Sequence, residues 1–131
     1  MEAAMSYTQA MGAPVRDRDR VLTEAVLKAA GLLDLSDHAL EQILQLDAGI
    51  IASVRDGQTV FAEGSTAFSR GTSLARLFRS LDALVGGNED IARQWLRTKN
   101  TVLKAIPLEL IQSGDGLDHV IVYLDSRRAQ I

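Results

Sequence analysis

The chain has no cysteine, only two prolines in 131 residues, and few aromatics, at 5%. The missing cysteine excludes a disulfide framework, a thiolate metal site and a cysteine nucleophile. With so few rings, the core has to be built from aliphatic side chains. No run approaches the ~18 apolar residues that a membrane span needs, so no membrane partner is expected. The amino terminus, MEAAMSYTQAMGAPV, has no basic start leading into an apolar stretch, so a secretory signal is not expected and a cytoplasmic protein is. Basic charge is in deficit as well. The 14 Lys and Arg stand against 17 Asp and Glu, net −3, which disfavours a polybasic nucleic-acid or membrane binder.

What is present is ordinary globular material, 47% hydrophobic and 24% charged. The length suits one compact unit, or two very small ones sharing a core. Leu and Ala dominate the apolar set, and both are strong helix formers, so the composition leans all-α.

Residues 1–20 are small, polar and punctuated by Gly and Pro, ending in the alternating run Arg16-Asp17-Arg18-Asp19-Arg20. They read as a solvated arm. From Val21 the apolar residues recur at helical spacing, with Gly31 as the expected C-cap. Ser36 is the N-cap expected for a helix carrying Leu40, Ile43 and Leu44, and Asp47 for one carrying Ile50, Ile51 and Val54. Gly57 stops that helix. Val60 and Phe61 pin the connection that follows, and Ser65 or Thr66 caps a long stripe from Phe68 to Leu84, with Gly71 as a candidate break. Gly86-Gly87 ends it. Asn88 opens a helix burying Ile91, Ala92, Trp95 and Leu96. Pro107 fits the first position of a short helix, and Ser113-Gly114-Asp115-Gly116 turns into a last one through Leu117, Val120, Ile121 and Leu124. Strand alternation and internal repeats are not evident.

Little in the chain suggests catalysis. His38 and His119 have no second ligand at helical spacing, no zinc spacing exists, and there is no glycine-rich phosphate loop. Neither an enzyme, a cofactor nor a metal is expected.

Ala39 to Gly57, ALEQILQLDAGIIASVRDG, scans as a helix-turn-helix with Leu46 as the plug of the turn. Its second helix offers Ser53 and Arg55 as the only outward hydrogen-bonding side chains for bases or phosphates. Between Ser36 and Glu63, Asp37, Glu41, Asp47, Asp56 and Glu63 face Arg55 alone, five acids against one base. Such a segment repels phosphate. Relief is available from Arg70, Arg76 and Arg79, with no acid between Ser65 and Leu81. A helical scaffold and a working DNA reader are both compatible with this pattern.

A second pattern lies downstream. The acidic helix start Asn88-Glu89-Asp90, the run Trp95-Leu96-Arg97-Thr98-Lys99-Asn100, the helix Pro107-Leu108-Glu109-Leu110-Ile111 and the turn Gly114-Asp115-Gly116 occur in that order. Together these resemble the toxin-binding domain of the Xre/MbcA/ParS antitoxin family, behind an Xre-like helix-turn-helix. The family commonly carries Pro after Thr98 and after Asn100, where this chain has Lys99 and Thr101.

The resemblance implies an all-α architecture: an arm at 1–20, an Xre-like helix-turn-helix domain at 21–75 and a small helical toxin-binding domain at 76–131. It implies a type II antitoxin that binds and inhibits a RES-domain, NAD-consuming toxin, with autoregulatory binding to operator DNA and assembly as a homodimer or a toxin–antitoxin hetero-oligomer. The alternative is a stand-alone helix-turn-helix regulator. Expected toxin contacts are Lys99, Asn100 and Thr101 in the loop and Arg127, Arg128 and Ile131 at the terminus. Arg127 and Arg128 also suit the negative end of the last helix dipole. Trp95 and the 107–111 helix read as packing, and Arg93 and Arg97 as a solvated face or a toxin contact. Expected DNA contacts are Ser53, Arg55, Arg70 and Arg76.

Overall fold

A computed structural model describes residues 16–129. Ile131 and most of the amino-terminal arm lie outside the described residues. The described residues form seven helices in order: α1 (Asp17–Leu32), α2 (Asp37–Leu44), α3 (Ile50–Arg55), α4 (Thr66–Leu84), α5 (Glu89–Arg97), α6 (Pro107–Leu110) and α7 (Gly116–Arg128). The described residues contain no strand, so the all-α expectation is met.

The caps explain most boundaries. Ser36, Ser65 and Asn88 each accept a hydrogen bond from the backbone N–H three residues on, at 3.0, 3.1 and 3.1 Å, satisfying a donor that the first turn leaves unpaired. Four helices, α1 to α4, close in one pattern, with a left-handed residue followed by a 6→1 backbone bond. In α4 the left-handed residue is Gly86, as expected, and Gly87 N donates to Asp82 O at 2.9 Å. In α1 it is Asp34, not Gly31, and Leu35 N donates to Ala30 O at 2.8 Å. The helix runs past Gly31 because Leu33 and Leu35 are buried beyond it and hold the chain in.

The expected arm also ends sooner. Asp17 to Arg20 form the first turn of α1, and Asp19 is buried. Its Oδ1 accepts from Glu63 N at 3.1 Å, and Thr23 Oγ1 accepts from Phe61 N at 2.9 Å. These bonds fix the 57–66 connection onto α1 with Phe61 buried.

One aliphatic core serves all seven described helices. It runs from Val26 in α1 through Leu40 and Leu44, Leu74, Leu77 and Leu81, to Leu96, Leu117 and Leu124. The central strut is α4, which packs on α1, α2, α5 and α7. The boundary expected between 75 and 76 therefore falls inside a continuous helix that contributes to both halves. Gly71 does not break that helix. A β-carbon there would lie 2.9 Å from Val26 Cγ2, so the bare backbone lets α1 and α4 approach.

Candidate functional site

The carboxy-terminal face is built from α5, the 98–106 loop, α6 and α7. Ala92 and Leu96 are buried, and Trp95 is half-buried, stacking on Tyr123 of α7 with centroids 6.3 Å apart and rings 16° from parallel. Ile91, expected in that buried face, is 48% exposed. It lies in the first turn of α5, where Glu89 and Asp90 are exposed as well.

Arg93 and Arg97 stand four residues apart, on one side of α5, and reach the end of α1. Arg93 Nε donates to Leu32 O at 2.9 Å and Arg97 Nη2 to Asp34 O at 2.6 Å. No basic residue of α1 lies in its own last turn. These two guanidiniums supply both the missing positive charge and donors for terminal carbonyls. They dock α5 on the amino-terminal half.

The 98–101 loop is organised by Asn100. Its Oδ1 accepts from Val102 N and Leu103 N, both at 2.9 Å, and its backbone pairs with Ala105 at 2.9 Å. Its side-chain oxygen is thus committed to the loop. Lys99 and Thr101 flank it and are exposed, as is Val102. Asn100→Ala is expected to lose about 1 kcal/mol of local stability. Faster amide exchange at Val102 and Leu103 reports the loss. Asn100→Asp keeps an acceptor and should leave both amides protected.

At the far end, Arg127 is exposed, whereas Arg128 joins a network. Arg128 Nη1 donates to Ser80 Oγ at 3.1 Å, Ser80 Oγ donates to Asp125 Oδ1 at 2.9 Å, and Arg76 pairs with Asp125. The Ser80 hydrogen bond does most to hold the Asp125 carboxyl below its ordinary value; burial opposes it, and the Arg76 and Arg128 guanidiniums each add a smaller lowering effect. A carboxylate lowered in the folded state stabilises above its unfolded pKa, about 3.9, and loses that contribution as pH falls through the folded value. Wild type should therefore exceed Asp125→Asn in stability at neutral pH. The gap should close in acid below about pH 4. A gap independent of pH in denaturant titrations contradicts this.

The helix-turn-helix expectation corresponds to α2 and α3, which pack together. The turn starts at Gln45, left-handed at φ 60°, with Leu46 half-buried. Asp47 does not cap α3. The cap residue is Gly49, at φ 90°, and the side-chain acceptor comes from Glu41. Its Oε2 accepts from Gly49 N at 2.9 Å and Ile51 N at 3.1 Å, with the residue 6% exposed. Ser53 is half-buried. Arg55 is exposed but donates twice to Asp37 Oδ1, at 3.1 and 2.9 Å. Arg70, on α4, points elsewhere: it donates to Ile43 O, to Gly114 O at 3.0 Å and to Ile111 O at 3.4 Å. It clasps the end of α2 to the turn before α7. Arg76 faces α7 through Asp125. Thus Ser53 and Arg55 share a short helix, while Arg70 and Arg76 bind internal partners. Sequence reasoning missed Glu41, Ser80 and Asp125, whose partners are all remote or on another helix.

This is an all-α chain in which a helix-turn-helix-like pair leads through one long helix into a compact helical face. Residues 80–129 match the family model of the antitoxin Xre/MbcA/ParS C-terminal toxin-binding domain. The match supports a toxin-binding antitoxin domain, and it covers the end of α4, all of α5 and α6, and α7. No curated protein matches the chain. No described helix is long and apolar enough to cross a membrane.

Proposed function

We propose that the chain is the antitoxin of a type II system, binding and inhibiting a RES-domain toxin that consumes NAD. The observation that carries this reading is the family match over residues 80–129, on a segment folded as one helical face. Toxin contact is assigned to the exposed Lys99 and Thr101, which flank the loop held by Asn100, and to the end of α7 with Arg127 and Arg128. Ile131 belongs to the same proposal. Inhibition needs no chemistry from this chain, only a surface that occludes the toxin's site. The test is co-expression with a RES-domain toxin. The chain should co-purify with it and restore growth and cellular NAD. Absence of both rescue and complex would sink the proposal.

Autoregulation belongs to the same reading, through Ser53 and Arg55 on α3. The acidic surroundings and the Arg55–Asp37 pair oppose phosphate. Free chain, as monomer or homodimer, should retard operator DNA weakly, and the toxin complex more strongly. The α2–α3 pair also keeps the stand-alone regulator in view. Tight, site-specific retardation by the free chain, with a clear salt slope, favours that alternative.

A further inference from the structure

An open cleft of about 540 Å³ lies between α4 and the last turn of α7, lined by Arg76, Arg79, Ser80, Asp125, Arg128 and Ala129. Three guanidiniums and one carboxylate leave it a local charge of +2, on a chain whose net charge is −3. The arginines are lightly used. Each guanidinium carries five N–H donors. Arg76 spends its pairing on Asp125, and Arg128 donates one N–H to Ser80 Oγ at 3.1 Å. Arg79 is exposed and has no hydrogen-bond or ion-pair partner among the described residues.

The base of the cleft is fixed. Ser80 is 1% exposed, and its hydroxyl holds Asp125 on one side and Arg128 on the other. Arg76 and Arg128 are therefore positioned before any ligand arrives, which lowers the ordering cost of binding. Converging cations with unspent donors are relieved by an anion seated among them.

We propose that this cleft binds a phosphate group, carried by a small phosphate ester or diphosphate. A local charge of +2 matches a dianion better than a single carboxylate, and several guanidinium forks can share phosphate oxygens. The volume falls in the range of small-molecule sites and exceeds one phosphate, leaving room for an ester. Arg76 and Arg79 precede residue 80, so the site extends beyond the segment matched to the toxin-binding domain. The same chemistry is available from a DNA backbone, and the experiment separates the two sources.

Inorganic pyrophosphate is titrated calorimetrically into the full chain at low and at physiological salt, with acetate at matched ionic strength as control. Saturable binding is expected, weaker at the higher salt and about tenfold weaker in Arg79→Gln. The thermal midpoint of Arg79→Gln should equal wild type, because Arg79 has no partner to lose among the described residues. Duplex DNA is then added as competitor. Displacement that depends on Arg79 assigns the site to backbone phosphate, and pyrophosphate binding that survives DNA assigns it to the free ester. The proposal is overturned by the absence of saturable binding, by an equal response to acetate, or by wild-type affinity in Arg79→Gln.

Discussion

Replacing Gly116 with Ala should destabilise the protein by about 3 kcal/mol or more. The β-carbon would lie 1.9 Å from Leu110 O and 2.7 Å from Leu110 C, inside any tolerable contact. Both are backbone atoms, so no rotamer change relieves the clash. Either α6 or the start of α7 has to move. Both are locked in place: Ile111, Leu117 and Val120 are buried in the common core, and Arg70 grips Gly114 O and Ile111 O. The reason is steric, because the backbone at Gly116 is not left-handed. Urea unfolding should show the loss, with a fall in Tm of roughly 10 °C for a chain of this size. Gly114→Ala is the contrast, since nothing lies within 4 Å of a β-carbon there. Equal stability of the two variants would refute the argument.

Removing the Glu41 carboxylate by Glu41→Ala should cost about 3 kcal/mol. The carboxylate accepts the Gly49 and Ile51 amides at the start of α3. Bonds to a charged acceptor are worth more than neutral ones, and the loss would strand the Ile51 donor in a buried site and the Gly49 donor in a partly buried one. Ile51 N is buried, so water replaces little of what is lost. Glu41→Gln retains a carbonyl acceptor and should recover most of the stability. Amide exchange at Gly49 and Ile51 localises the effect. If the Ala and Gln variants unfold at the same denaturant concentration, Glu41 does not hold the turn. The consequence for function is direct, because the orientation of α3 relative to α2 depends on this side chain.

Much of the architecture was legible because it is written locally. Ser36, Ser65 and Asn88 bond within three residues of themselves, so their capping roles are visible in the sequence. Pro107 opens α6 for the same kind of reason. The candidate face was legible by resemblance through its ordered motifs, and residues 80–129 carry the matching domain. The misreadings share a physical cause. Asp47 has the right residue type for a cap, yet Glu41 reaches the same amides from the preceding helix. Gly31 has the right type for a helix end, but the buried Leu33 and Leu35 set the end later. Asp19 sits in a charge run that looks solvated, and a backbone amide 44 residues away buries it.

The arginines divide along the same line. Their number and spacing were plain, and their partners were not. Arg70 closes α2 against the turn before α7, Arg93 and Arg97 close α5 against the end of α1, and Arg76 joins α4 to α7. Composition and periodicity determined that the chain is helical, where most helices begin, and which side chains form the aliphatic core. Tertiary structure decided which polar groups remain free. A guanidinium binds whatever acceptor the packed helices bring within reach, and that distance is set by the fold and not by neighbours in the chain.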